Sequence, residues 1–221
     1  MSLDSSPRSH KLAPNFAFTA LACLFILVFG LGAFYYVTQA GESFTTETKR
    51  RTQIDNQPQA LVPLWVVNQF GEKQNLNDLL STSGKTWIAD FVYTRCQSVC
   101  LALGSNYQQL QEQIKSRGLQ SEIGLLSISF DPARDDAPAL AKYANRFKMD
   151  SNVWQIVSLS TASERRLLLD EFGIMVVPTQ LGEYDHNGAF HVLSSESKLI
   201  KIIGYEQAEQ VLDIALSLHR R

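Results

Sequence analysis

Two cysteines four residues apart carry the most informative chemistry of the chain. Cys96 and Cys100 lie in the segment Tyr93-Thr94-Arg95-Cys96-Gln97-Ser98-Val99-Cys100, where a β-rich apolar run gives way to a helical pattern. With Cys96 at a helix start and Cys100 in its first turns, the pair shares one helix face, with Cβ atoms about 5–6 Å apart. From there the sulfurs can reach one another, or one ion, with modest local adjustment. A helix N-terminus favours thiolate through its dipole and free N–H groups, and Arg95 adds positive charge beside it. Thiolate is the form that binds soft metals and attacks disulfides. Zinc would want four ligands, and few further candidates exist. Two thiolates plus one imidazole suit copper better, because Cu(I) prefers soft sulfur and accepts three ligands. The third cysteine, Cys23, lies inside a long apolar run and is out of reach of the pair.

The elements that must position this pair follow from periodicity. Residues 86–93 predict a buried central strand, 123–130 a second buried strand and 153–159 a third. Leu103, Tyr107, Leu110 and Ile114, at spacings of four, three and four, predict a helix over 101–116 that Gly118 closes. Further helices are expected over 136–147, with Pro138 in the first turn, and from about 207 to 219. Another is expected over 161–172, with Thr161 as N-cap and Glu164 completing a capping box. Residues 61–67 suggest a short strand and 75–80 a helical turn. The strands 190–194 and 198–203 form a closing hairpin, expected to lie antiparallel at one edge. Strands alternating with helices predict an α/β fold with a partly parallel sheet.

The 221 residues, 45% apolar and 19% charged, suit one ordinary domain with an appendage rather than a disordered chain. Twenty basic against 22 acidic side chains leave a net charge of -2, so nucleic-acid binding has no electrostatic support. Three cysteines are too few for a disulfide-stapled scaffold. Between Lys11 and Glu42 lie thirty uncharged residues, whose apolar heart runs from Phe16 to Val37. That run can cross a hydrocarbon core of about 30 Å at about 1.5 Å per residue. It exceeds the apolar stretch of an ordinary cleaved signal peptide, and Tyr35 and Tyr36 suit an interfacial belt. The expected organisation is a cytoplasmic tail over 1–14, a transmembrane signal anchor over 15–37, a polar linker over 38–57 and a globular domain over 58–221. Arg8 and Lys11 precede the span while Lys49, Arg50 and Arg51 follow it, so charge alone gives a modest preference for the domain outside.

The sequence resembles the Sco/SenC family of membrane-anchored, thioredoxin-like copper-binding proteins that serve in cytochrome c oxidase assembly. The resemblance covers most of 58–221. It rests on Asp90-Phe91-Val92-Tyr93-Thr94-Arg95-Cys96-Gln97-Ser98-Val99-Cys100, which fits the family's two cysteines separated by three residues after a strand. It rests also on Ser127-Ile128-Ser129-Phe130-Asp131-Pro132-Ala133-Arg134-Asp135 and the helix Leu140 to Phe147 that follows. The resemblance implies a third copper ligand, a histidine shortly before a late strand. His191-Val192-Leu193 takes the strand position, which places His186 at the ligand position and leaves His191 as a half-buried structural residue. Asp131, Arg134 and Asp135 are expected to cap the following helix and pair with one another, since hard carboxylates suit Cu(I) poorly. Met149 and Met175 are isolated and form no methionine track.

Three departures from the family pattern stand out. Gln97 and Leu101 occupy places where proline commonly follows each cysteine, and Glu196-Ser197 replaces an Asp-Gly turn. Val177-Pro178-Thr179 looks like the Pro-Thr pair beside the active site of ordinary thioredoxins, where Pro178 is either a cis-proline favouring dithiol exchange or a plain loop proline. The resemblance implies a non-enzymatic metallochaperone that hands copper, as Cu(I) or alternatively Cu(II), from Cys96, Cys100 and His186 to a respiratory oxidase subunit. A thiol reductase would keep the cysteines reduced. The alternative is a thiol-disulfide oxidoreductase in which the same redox-active Cys96–Cys100 pair attacks and resolves. A peroxide-reducing enzyme lacks a motif here. Either leading role belongs on the periplasmic side of the inner membrane.

Overall fold

The structure, a computed structural model, describes residues 15–37, 46–96, 99–179 and 183–220, with the backbone alone at 15–17, 37, 46 and 99–103. The chain divides into two units, residues 1–50 and 51–221. In the first, helix α1 (Asn15–Val37) exposes apolar side chains around its whole circumference, Phe25 at 70% and Phe29 at 70% among them. Among the described residues it is the one helix long and apolar enough to cross a membrane.

The second unit is built on an eight-stranded sheet, ordered β1-β10-β9-β4-β5-β6-β2-β3. Its strands are β1 (Gln59–Ala60), β2 (Trp65–Asn68), β3 (Lys73–Asn75), β4 (Thr86–Val92), β5 (Ile123–Ser129), β6 (Trp154–Leu159), β9 (Ala189–Leu193) and β10 (Lys198–Gly204). The continuous apolar runs become the parallel centre: β4 pairs with β5 and β5 with β6, every residue of β4 and β5 being buried. Strands buried on both faces lose the period-two alternation of a half-exposed sheet, which is why these runs read as unbroken. On one face pack α4 (Val99–Ser116), α5 (Ala137–Arg146) and α7 (Val211–His219), through Tyr107, Leu110, Ile114, Leu140 and Leu212. On the other lie α3 (Leu76–Thr82) and α6 (Arg165–Phe172), through Leu80, Leu168 and Phe172. Gly118, at φ +67, ends the α4 segment as its lack of a Cβ allows.

Four expectations need correction. The polar stretch expected as a linker contains α2 (Thr46–Asn56). Within the second unit, α2 is held by Ile54, buried at 3%, and by ion pairs from Lys201 to Asp55 (2.7 Å) and Arg51 to Glu206 (3.2 Å). One apolar residue in a polar helix leaves no periodic signal. The closing hairpin β9–β10 is antiparallel, but β9 beds against β4 and β1 covers β10, so the pair lies inside the sheet edge. The capping box at Thr161 does not form: its hydroxyl donates to the Glu164 carboxylate (2.8 Å), and Glu164 also accepts from the Trp65 amide (3.5 Å). His191 is fully rather than half buried, its ring edge-on to Phe91 and its Nε2 against the Phe172 carbonyl (3.3 Å).

Candidate metal centre

At the C-terminal ends of β4 and β5 the chain makes the turns that carry and hold the first candidate ligand, Cys96. Tyr93 to Cys96 leave β4, and the Cys96 amide donates to the Tyr93 carbonyl (3.2 Å). Cys96 itself is 4% exposed, packed in the core with Tyr93 and Phe130. The loop is pinned by Asp135, whose carboxylate accepts from the Thr94 amide (3.0 Å), the Thr94 hydroxyl (2.6 Å) and the Ser129 hydroxyl (2.5 Å). The Asp135 carboxylate thus serves the loop, while helix α5 is capped by Asp136, which accepts from the Ala139 amide (3.0 Å). Within the expected charged cluster, the side chains of Asp131 and Arg134 pair at 2.5 Å, and the Asp135 amide donates to the Asp131 carbonyl (3.0 Å). The reassignment is tertiary in origin: Asp135 is carried under the Cys96 loop because the Phe130 amide ties the end of β5 to the Val92 carbonyl (3.1 Å).

The second arm is a separate two-stranded ribbon, β7 (Val176–Pro178) paired antiparallel with β8 (Tyr184–His186). The Val177–Pro178 peptide is trans, since the described residues contain no cis bond. Asn187 holds the ribbon down. Its side chain accepts from the Met175 amide (2.6 Å) and donates to the Gly173 carbonyl (3.0 Å), joining His186 to the end of α6. The Tyr93 hydroxyl clamps the ribbon from the other side, donating to the Tyr184 carbonyl (3.3 Å) and accepting from the Tyr184 amide (3.2 Å).

The two arms meet through aromatic rings. Phe130 packs against Tyr93 (5.6 Å), Tyr184 (5.7 Å) and the His186 imidazole (5.2 Å, edge to face). The guanidinium groups of Arg134 (5.0 Å) and Arg165 (4.9 Å) lie over the Tyr184 ring. His186 Nδ1 lies 3.1 Å from the Asn187 carbonyl oxygen. A carbonyl only accepts, so Nδ1 carries the proton in that bond and Nε2 keeps a lone pair. That Nε2 is buried and has no hydrogen-bond partner among the described residues. An imidazole oriented through one nitrogen, with the other unpartnered, fits a metal ligand. The Cys100 side chain lies outside the described residues, and among those described no three His, Cys, Asp or Glu side chains converge as a metal cage.

Sequence reasoning missed Asn187, Tyr184 and the loop-pinning role of Asp135. It also passed over Asp90, buried in β4 on the face of Ile88 and Val92. Burial pushes this carboxyl up to about 7, against the opposing influence of Ser127, its register partner on β5.

The SCO1/SenC family model matches residues 55–217, spanning the whole sheet and both arms. The chain belongs to this family. A SCO1 protein homolog of Bacillus subtilis is 26% identical over 141 residues, 63% of this chain and 70% of its own. A SCO1/SenC family lipoprotein of Bacillus anthracis, solved by crystallography, is 26% identical, with TM-score 0.63 over 73% of this chain and 97% of its own. Arabidopsis thaliana ScoI, solved with copper bound, is 19% identical, with TM-score 0.62 over 72% and 97%. The domain thus has the Sco form of the thioredoxin-like fold, a mixed sheet flanked by helices, behind one apolar N-terminal helix.

Proposed function

We propose that the chain takes up copper as cargo through Cys96, Cys100 and His186 and delivers it to a respiratory oxidase subunit during cytochrome c oxidase assembly. Helix α1 acts as an uncleaved anchor in the inner membrane, and the domain works on the periplasmic side, where a thiol reductase keeps the cysteines reduced. The observation that carries the reading is the His186 ring, with Nδ1 bonded to Asn187 and a buried Nε2 that is unpartnered among the described residues, on the same aromatic cluster as the Cys96 loop. Two thiolates and one imidazole are the soft, three-ligand donor set that Cu(I) accepts. Family membership supports the assignment, because Sco proteins assist oxidase assembly and relatives have been solved with copper bound.

The test is an anaerobic Cu(I) titration of the reduced full chain in neutral detergent against a competing chromophoric chelator. One-to-one binding that weakens in both His186→Ala and Cys96→Ser is the expected result. Binding indifferent to His186, with rapid reduction of insulin disulfides, moves the assignment to thiol–disulfide exchange by the same cysteine pair. A periplasm-dependent reporter fused to the C-terminus tests the placement, and an inactive fusion overturns it.

A further inference from the structure

A cleft of about 660 Å³ opens directly beside the Cys96 loop. One wall is the loop itself, through Thr94 and Arg95, and the other is the run from Arg134 through α5, with Asp136, Lys142 and Arg146. Four cations and one carboxylate therefore line a single cleft of a chain whose net charge is -2. Arg134 is neutralised by Asp131, and Asp136 is engaged as the cap of α5. Arg95, Lys142 and Arg146 are exposed, and none has an ion pair or side-chain hydrogen bond among the described residues. Lys142 and Arg146 stand four apart on one helix face, a like-charge spacing that disfavours a helix when no counter-charge sits between them. Arg146 also stands in the last turn of α5 and lies over the Phe147 ring (5.7 Å), contacts that orient its guanidinium without supplying a counter-charge.

We infer that this cleft receives an acidic polypeptide segment of the protein partner, laid along α5 so that the partner's neighbouring residues reach the Cys96 loop. The inference rests on the copper-delivery reading for the partner's identity, but its electrostatics stand on the cleft alone. Lys142 and Arg146 are separated by about 6 Å along the helix, and Arg95 faces them from the loop wall. Cations spread in this way match successive carboxylates on an extended strand, at about 3.3 Å per residue, better than one compact anion. Complementary charge at the rim of a transfer site orients the encounter and selects the partner. A copper recipient would then carry an acidic run close to its own soft ligands.

The experiment uses the full chain in neutral detergent and a labelled twelve-residue peptide with four glutamates, beside a twin with glutamines in their place. Anisotropy should show binding of the glutamate peptide only. Affinity should fall by at least about tenfold in Lys142→Glu/Arg146→Glu, and severalfold between 50 and 200 mM salt. Lys142→Gln/Arg146→Gln should fall between, with Cu(I) affinity unchanged in both variants. Equal binding of the two peptides, or no change in the variants, overturns the inference. Displacement of the glutamate peptide by inorganic phosphate or by short-chain phosphatidylglycerol at equal charge also overturns it, in favour of a small-anion or lipid site. If Cu(I) fails to bind through His186 and the cysteines while the peptide results hold, the acidic-segment cleft stands and the copper reading falls.

Discussion

Cys96 leaves the centre of an eight-stranded sheet, from a strand buried along its whole length, whereas His186 sits on a two-stranded ribbon outside that sheet. The cysteine arm is held by a buried carboxylate that gathers three donors. The histidine arm is held by one amide side chain and one tyrosine hydroxyl. Isolated two-stranded ribbons are marginal in water, so side-chain ties must supply the placement that a sheet supplies elsewhere. The cysteine arm of the candidate centre is therefore coupled to global stability, and the histidine arm is coupled mainly to its own ties. If the proposed copper site is right, changes under Cys96 should damage fold and copper binding together, and changes under His186 should damage copper binding more than the fold.

The largest effect is expected at Asp135. Alanine there leaves the Thr94 amide and hydroxyl and the Ser129 hydroxyl without their acceptor in a buried position. The expected loss is about 3–5 kcal/mol of unfolding free energy, with asparagine recovering part of it. Denaturant midpoints of the two variants, compared with copper affinity, test the coupling. An Asp135→Ala protein that kept its midpoint and lost only copper binding would break the comparison.

Asp90 lies deeper under the same arm and gives it a pH dependence. Its folded-state carboxyl titrates near 7 and its unfolded one near 3.8, because burial disfavours the charged form. Between those values the folded protein holds a proton that the unfolded chain has released. Stability therefore falls as pH rises from about 4 to about 7 and levels off above, by at most about 4 kcal/mol. Asp90→Asn should remove most of that slope and be the more stable form at pH 8. Parallel stability curves for the two proteins from pH 4 to 8 would sink the assignment.

The same contrast explains what could be read from residues alone. The unbroken apolar runs of β4 and β5 and the Tyr107, Leu110, Ile114 stripe announce a parallel sheet with a helix behind it, because burial on that scale writes itself into periodicity. The strand and helix that flank the cysteine pair are legible for the same reason, although Cys96 lies in the turn after β4 and not at the start of α4. His186 was reached only through family resemblance; a short ribbon with intermediate burial has no pattern of its own. Asp135 and Asn187 were misread or missed because each is a short polar residue in a turn whose partners are chosen by tertiary approach. Ile54 shows the same limit, one buried residue holding a helix that otherwise reads as solvated tether.

Asn187 offers the sharpest separation of the two arms. Alanine removes the acceptor for the Met175 amide and the donor to the Gly173 carbonyl, at a ribbon edge that water can reach. The expected cost is about 1–2 kcal/mol in stability. Copper affinity should fall by at least about tenfold, the range seen when the groups that orient a ligand are lost. Chelator competition and thermal unfolding on one preparation give both numbers, and a variant that lost stability while binding copper normally would place the control of His186 elsewhere.

Tyr93→Phe should give the smallest effect, because it removes the link between the arms and leaves the packing. Phenylalanine keeps the ring against Phe130 (5.6 Å) and Tyr184 (5.3 Å) and loses only the two hydroxyl bonds to the Tyr184 backbone. Tyr184 is half-buried, so solvent replaces part of what is lost, and the stability change should be about 1 kcal/mol or less. If the hydroxyl holds the ribbon to the Cys96 side, amide exchange of Tyr184 should quicken by roughly fivefold, as a local opening costs about 1 kcal/mol less, while exchange in β5 stays unchanged. Equal acceleration in β5 would mean that the ribbon and the sheet open as one unit, and the distinction between the arms would then be one of position rather than of stability.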